Sequence, residues 1–337
     1  MDIIRKKAYA RAGLVGNPSD NFNGKTISLI VRNFSATVLL YEWEDLEIVP
    51  NAEDQCRFGS IAELAHDVDR HGYHGGIRLV KATIKRFFEY CQGKEIILHE
   101  RNFSIRYETD IPRQVGLAGS SAIIVGALRC LMEFYEVAIP LHLQPSLVLA
   151  IEREELKIAG GLQDRVIQIY EGVMYMDFSK EKMRIEDGLE FGQYSRIKEE
   201  LPPLYIAYNT DLSEPTEIIH SNLLDRYNQQ EPEVVEAMGK FATLAFNFHQ
   251  ALMVGETATL APILDKNFDL RRSIKELPSN QIKMVETARQ TGASAKFAGS
   301  GGAIIGTYEN DEMLEQLSTL MADIDCQLII PKIHSES

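Results

Sequence analysis

A chain of 337 residues, 45% hydrophobic and 25% charged, has material for about two ordinary soluble domains and a full core. Its 49 acidic and 35 basic residues leave a formal net charge of -14, which argues against nucleic acid or an anionic membrane as the main partner, since both reward a basic surface. Any anionic ligand must therefore be met by local cations. The opening MDIIRKKAYARAG has no apolar core long enough for a signal peptide, and nowhere do about eighteen uncharged apolar residues run together. A cytoplasmic protein with no membrane partner and no evident obligate protein partner is expected. The cysteines Cys56, Cys91, Cys130 and Cys326 are scattered without metal-ligand spacing and read as reduced thiols.

In chain order, ISLIVR at 27–32 and FSATVLLYE at 34–42 predict strands, with a loop over GLVGNPSDNFNG from Gly13 to Gly24. Ile77, Val80, Ile84, Phe87, Phe88 and Cys91 recur at helical spacing and leave Arg78, Lys81 and Lys85 on another side, the pattern of a solvated face. FSIRYETDIP alternates as a half-buried strand closed by Pro112. A helix is predicted over 146–158, ended by Gly160 and Gly161. VMYMDF at 173–178 is a strand candidate, and the polar stretch 189–203 ends in two prolines that suggest a domain boundary. Beyond it, strands (LYIAY, ASAKF, GAIIGTY, CQLIIP) alternate with helices near 216–228, 233–257 and 281–291.

IPRQVGLAGSSAIIVGALRCL, from Ile111, thus lies between a strand and a helix. Glycines there let backbone approach an anion, and the helix start presents unpaired N–H groups and a positive dipole end. By itself such a turn also fits a plain helix start with capping serines, and it is neither a P-loop nor a Rossmann fingerprint. KFAGSGGAIIG, from Lys296 to Gly306, is a second glycine-dense turn, with a hairpin as its plain reading. GLQDR places Asp164 at a helix start, where a lone aspartate is usually an N-cap.

Together with ARAGLVGNPSDNFNGKTIS, these segments resemble the galactokinase, homoserine kinase, mevalonate kinase and phosphomevalonate kinase (GHMP) superfamily, with the motifs in the expected order along most of the chain. GNPSD, GKTISL, GGIRL, GLQDRV, MDFSKE and NFDLRR are similar to the glucuronokinases within it. The resemblance implies an α+β GHMP kinase fold: an N-terminal ribosomal protein S5 domain 2-like domain over 1–195 and a C-terminal ferredoxin-like domain over 196–337. It implies phosphoryl transfer from ATP, with Mg2+, to the anomeric hydroxyl of a sugar acid. Asp164 and Arg11 match the superfamily's catalytic aspartate and the basic residue beside the transferred phosphate. Pro112, Gly116, Leu117, Ala118, Gly119, Ser120, Ser121 and Ala122 match the ATP-phosphate motif, and Gly299, Ser300, Gly301 and Gly302 match the loop that closes the other side.

Glu152 lies at the spacing of a Mg2+-binding glutamate, with Glu154 and Glu155 as neighbouring alternatives and a hydroxyl of Ser120 or Ser121 as a further ligand. Asn17, Ser19 and Asp20 occupy the sugar-contact positions; Gly16 to Asp20 reads G-N-P-S-D, where galactokinases carry G-E-H-T-D. A substrate carboxylate needs a cation, and Arg165 and Arg78 are the candidates, with Arg271 and Arg272 behind them. Another sugar or sugar-phosphate kinase, of heptose-phosphate or galacturonate type, and a catalytically silent ligand-sensing member remain as alternatives.

Overall fold

The structure, a computed structural model, describes residues 2–50, 76–209 and 221–334. Cys56 and the first part of the helix expected from 216 lie outside the described residues. Strand β1 (Ile3–Val15) pairs antiparallel with the long β2 (Lys25–Trp43). The two strands expected at 27–32 and 34–42 are one, because the polar Arg32–Asn33 step is absorbed as a register irregularity opposite Tyr9 and Ala10. β1 also runs on past Gly13 into the segment read as loop, since Leu14 and Val15 are fully buried.

β2 carries β5 (Val173–Asp177) on the first part of its other edge and β4 (Asn102–Thr109) on the second. β3 (Glu47–Ile48) extends β4 and β8 (Gln193–Arg196) extends β5, giving six strands. Helices α1 (Gly76–Gly93), α2 (Gly119–Phe134), α3 (Gln144–Ala150) and α4 (Leu162–Tyr170) accompany this sheet. The alanines Ala8, Ala10 and Ala12 on β1 are fully buried and let α2 lie close to the sheet. The helix expected over 146–158 begins at Gln144 and widens into a π turn over Ile151–Glu155, where it ends. Its end therefore comes before Gly160; Gly161, extended at φ -122, is instead the N-cap of α4. β6 (Arg184–Glu186) and β7 (Leu189–Phe191) form a separate hairpin whose second strand opens the stretch read as a polar boundary.

The sheet changes between Arg196 and Leu204. β9 (Leu204–Asn209), β10 (Lys296–Phe297), β11 (Ala303–Thr307) and β12 (Cys326–Ile329) form an antiparallel sheet in the order β10-β11-β9-β12. Counted along the chain this is 4-1-3-2, the arrangement of a split β-α-β unit of ferredoxin-like type. Its helices are α5 (Ser221–Asn228), α6 (Pro232–Val254), α7 (Leu260–Ile274), α8 (Ser279–Arg289) and α9 (Asp311–Ala322). α7 and α9 had no counterpart in the sequence reading. Val15 and Ile27 share one apolar cluster with Phe248 and Ile305, so the two sheets are packed through a common core. Cys91, Cys130 and Cys326 are buried free thiols, and no described helix is long and apolar enough to cross a membrane.

The closeness of α2 to the sheet depends on Gly126, where a Cβ would stand 2.7 Å from Val38 Cγ2. Gly126→Leu is expected to destabilise the protein by roughly 2 kcal/mol or more through overpacking. An unchanged midpoint in urea titration would show that α2 and β2 do not interlock there.

Candidate active site

The edge of β1 not used by β2 receives both glycine-rich loops. Arg11 N donates to Leu117 O at 3.2 Å, and Gly13 N donates to Ala298 O at 2.7 Å. In the first loop Gly116 and Ala118 take positive φ, 71° and 62°, which turns the chain into α2. The N-cap of α2 is Ala118, and no side chain caps the helix. Gly119, Ser120 and Ser121 therefore present first-turn N–H groups at a positive dipole end, the physical basis of an anion site. Leu117 and Ala122 are buried beneath it, and Pro112 is half-buried ahead of it.

KFAGSGGAIIG is the β10–β11 hairpin, and its tip lies directly on this loop: a Cβ on Gly116 would stand 2.8 Å from Gly301 O. Arg271, 3% exposed, donates from Nη1 to Gly299 O at 2.8 Å and from Nη2 to Ser300 O at 3.0 Å, fixing the tip from behind. Lys296, fully buried, donates to Gly13 O, Phe297 O and Asn17 Oδ1 at 2.6–2.7 Å. Burial, reinforced by the charges of Arg271 and Arg11, lowers the Lys296 pKa well below its ordinary value; burial likewise brings Arg271 down to about 10.

Arg11 joins all of these parts. Its Nε and Nη2 donate to the two oxygens of Asp164 at 2.6 Å each, and Nη1 donates to Gly116 O at 2.5 Å and Ala298 O at 3.4 Å. Asp164 stands in the first turn of α4 with its side chain 19% exposed. Burial alone would raise its pKa, but the charge and hydrogen bonds of Arg11, with the charge of Arg165, outweigh this and hold it below the usual carboxylate value.

Glu152, fully buried in the π turn, accepts a hydrogen bond from Ser120 Oγ at Oε1, 3.1 Å, and is paired at Oε2 with Arg165. Of the three glutamates considered there, Glu154 instead pairs with Arg86 at 2.6 Å and Glu155 with Lys85 at 2.9 Å on the outer side. Ser121 Oγ turns back to Ala118 O at 3.2 Å. One carboxylate oxygen beside one hydroxyl, at the mouth of a phosphate-facing loop, fits the modest protein share that Mg2+ takes when phosphates and water supply the rest.

Arg165 is placed otherwise than expected for a substrate clamp. It is 3% exposed, and its guanidinium is committed to Glu152, to Gly161 O at 2.8 Å and to Asp164 at 3.4 Å. Arg271 is spent on the hairpin tip, and Arg272 pairs with Glu286 at 2.8 Å on the surface. Arg78 is half-buried in the first turn of α1.

Asn17 and Ser19 are buried, with side chains bound to Lys296, Phe297 O and Lys25 O. They fix the turn that carries Asp20, whose Oδ2 accepts from Gln163 N at 3.4 Å at the start of α4. Burial, then repulsion from Asp164, pushes the Asp20 pKa from 3.8 up to about 6. The sequence reading did not single out Lys296, Gln163 or Asn267. Asn267 accepts from Gly16 N at 2.7 Å and donates to Asn17 O at 3.2 Å. A polar Asn at an inward position of the amphipathic α7 was the available signal.

The family model described as the GHMP kinases N terminal domain matches residues 78–172. Glucuronokinase 1 of Arabidopsis thaliana is 41% identical over 309 residues, covering 90% of this chain and 84% of that protein. The D-glycero-alpha-D-manno-heptose 7-phosphate kinase of Campylobacter jejuni is 26% identical over 313 residues, covering 89% and 87%. The structure of Lactococcus lactis galactokinase complexed with galactose matches with a TM-score of 0.78 at 14% identity, over 99% of this chain and 94% of that chain. Fold and motifs together define a GHMP kinase of α+β architecture. Within that class, the chain belongs to the glucuronokinase family.

The two aspartates make a pH prediction. Asp164 stays ionised well into acid, whereas Asp20 gains a proton as pH falls through about 6 and loses acceptor capacity. If Asp20 accepts sugar hydroxyls, kcat/KM for the sugar falls below pH about 6, and Asp20→Asn removes that limb. The raised pKa means that ionisation opposes folding above pH about 6, a cost that vanishes below the unfolded value. Asp20→Asn is therefore expected to gain roughly 1–2 kcal/mol at pH 7 while losing sugar affinity. Pairing pH–rate profiles with thermal melts tests both halves; an acid limb retained in Asp20→Asn assigns it to another group.

Proposed function

We propose that this ATP-dependent sugar kinase transfers the γ-phosphoryl group of ATP to the anomeric hydroxyl of D-glucuronate, giving glucuronate 1-phosphate and ADP. The observation that carries the reading is the single guanidinium of Arg11 joining Asp164 to carbonyls of both glycine-rich loops. On this reading residues 1–195 form the domain that holds most of the ATP and sugar contacts, and 196–337 the domain that contributes the hairpin tip. The uncapped start of α2, with Gly116 to Ser121, holds the phosphates through backbone N–H groups. Gly299, Ser300 and Gly301 confine them from the other side.

The sugar hydroxyl donates to Asp164, whose oxygens keep lone pairs beyond those used by Arg11. With its basicity lowered by Arg11, Asp164 orients the hydroxyl first and takes the proton late. That order suits a loose phosphoryl transfer, in which the attacking oxygen needs little charge before bond formation. As the O–P bond forms, the bridging β–γ P–O bond breaks, its electron pair stays on ADP, and the proton passes to Asp164. Arg11 balances the charge developing on the transferred group. Glu152 and Ser120 would hold Mg2+, which when bound neutralises phosphate oxygens. Arg165 positions Glu152 and Asp164 rather than touching the sugar.

A coupled assay of ADP release across glucuronate, galacturonate, glucose and a heptose phosphate tests the reading. Glucuronate is expected to exceed glucose in kcat/KM by roughly a thousandfold, because a neutral sugar leaves unpaired a cation that the closed complex desolvates. Equal use of the two, or phosphate at another carbon, overturns the proposal. Within the same assay, Asp164→Asn is expected to lower kcat at least about a hundredfold with ATP affinity nearly intact. Turnover within a few-fold of wild type removes Asp164 from the chemistry.

A further inference from the structure

Of the cations expected to meet the substrate's carboxylate, Arg165, Arg271 and Arg272 are committed to protein partners and Arg78 lies half-buried in the first turn of α1; the structure offers a further candidate. A cleft of about 900 Å³ opens beside Asp20 and Leu162, bounded by the π turn on one side and the β6–β7 hairpin on the other. Arg153, Lys180 and Arg184 line it, and among the described residues none of the three forms an ion pair. Arg11, Arg32, Arg86, Arg165, Arg226 and Arg289, by contrast, pair with carboxylates, while Arg196 and Arg271 are spent on backbone carbonyls.

Arg153 is the best held of the three. Its Nε donates to Gly160 O at 2.8 Å and its Nη2 to Asn21 Oδ1 at 2.6 Å. Asn21 follows Asp20 on the same turn, and Gly160 precedes Gly161, whose carbonyl Arg165 holds. The guanidinium is thus fixed between the sugar-contact turn and the segment leading to Asp164, while Nη1 donates to no described residue. None of the cleft's own acids hydrogen-bonds it: Glu154 pairs with Arg86, Asp20 accepts from Gln163 N, and Asp20, Glu152 and Glu190 act on Arg153 only through their fields. In a pyranose uronic acid, the anomeric hydroxyl and the carboxylate-bearing carbon flank the same ring oxygen. A hydroxyl held at Asp164 therefore keeps the carboxylate within one sugar's width of Asp164, and Asp20, whose carboxylate meets Gln163 N beside Asp164, also lines the cleft that Arg153 lines.

We propose that Arg153 is the specificity residue of this kinase: through Nη1 it receives the carboxylate of a hexuronic acid, with Arg184 and Lys180 supplying further positive charge across the cleft. The proposal rests on the reading of the chain as a uronic-acid kinase, and the experiment separates the two. Wild type and Arg153→Gln are compared with ATP on D-glucuronate, on its uncharged amide and on glucose, with thermal melts as the check of folding. Wild type is expected to favour glucuronate over the amide by at least about a hundredfold, the scale of a desolvated charge pair. Arg153→Gln is expected to bring the two within a few-fold of each other, with KM for ATP unchanged, and Arg153→Lys to restore part of the preference.

A fold-independent arm uses Arg153→Glu on the amino sugar that carries an ammonium group where glucuronate carries its carboxylate. Activity gained on that sugar supports the assignment, because misfolding cannot create it. A wild type without preference for glucuronate overturns the uronic-acid reading and this inference with it. A wild-type preference that survives in Arg153→Gln, or no gain in Arg153→Glu, overturns the inference alone and leaves the kinase reading standing.

Discussion

The buried guanidinium of Arg11 is the constraint on which the rest of the site depends. It is 5% exposed and holds two carboxylate oxygens and two loop carbonyls at once, while its own N–H anchors Leu117. Only a planar fork of five N–H groups can do this; a lysine in the same place would offer a point charge and leave carbonyls unmet. Burying a charge is costly unless it is paired or fully hydrogen-bonded, so Arg11 and Asp164 each offset the other's burial. Removing either partner leaves the other as an uncompensated buried charge, a loss of about 3–5 kcal/mol in such pairs. The interaction that sets the basicity of Asp164 is also the one that fixes the distance between the phosphate loop, the hairpin tip and α4.

A globally acidic protein handles a polyanionic substrate here by sorting its charges by depth. Arg11 and Arg165 are buried with carboxylate partners, but Arg271 and Lys296 are buried against carbonyl and amide oxygens alone. Burial lowers the proton affinity of both, and the charge of Arg271 lowers that of Lys296 further. Arg271, without a carboxylate partner behind the glycine hairpin, adds local positive charge there although the chain as a whole carries -14. On the proposed reading a phosphate arriving at the tip would supply the counter-charge that the fold does not.

The parts of this site that were legible in the sequence are those written in backbone. Glycines are needed at 116, 301 and 302, where φ turns positive, and at 299, where a Cβ would meet Gly116 O, and the strand-to-helix and hairpin settings followed from hydrophobic periodicity. Side-chain direction was not legible. Asp164 and Arg165 are adjacent in sequence, yet successive residues on a helix diverge, so one reaches Arg11 and the other turns to Glu152. The same limit hid Arg153. In the string IEREE, spacing set Glu152 apart but nothing set apart Arg153, until the π turn sent Glu152 inward, Arg153 to the cleft, and Glu154 and Glu155 to partners on α1. A single widened turn has no signature in composition or period. The polar stretch read as a boundary conceals β7 and β8, and β6 just ahead of it went unread, for a related reason: strands of three or four residues with little burial carry too little apolar pattern to register.

The two aspartates show how one small region prepares opposite properties from the same functional group. Both meet burial, which raises a carboxylate's pKa, and each repels the other. Asp164 receives a bidentate arginine and drops below the ordinary value; Asp20 receives one long backbone hydrogen bond and rises to about 6. If both were strongly paired, the cleft would lack an acceptor that gains from meeting a hydroxyl; if neither were, one would hold a proton at neutral pH and the nucleophile would lose its orienting partner. The asymmetry leaves Asp164 reliably ionised for the reacting oxygen and leaves Asp20 under-solvated beside an open cleft. A sugar hydroxyl bound to Asp20 replaces hydration that burial has removed, so binding should draw the Asp20 pKa back toward its ordinary value. The fold thereby stores at Asp20 a cost that sugar binding relieves, and keeps Asp164 free of that cost so that its charge is unchanged when the hydroxyl arrives.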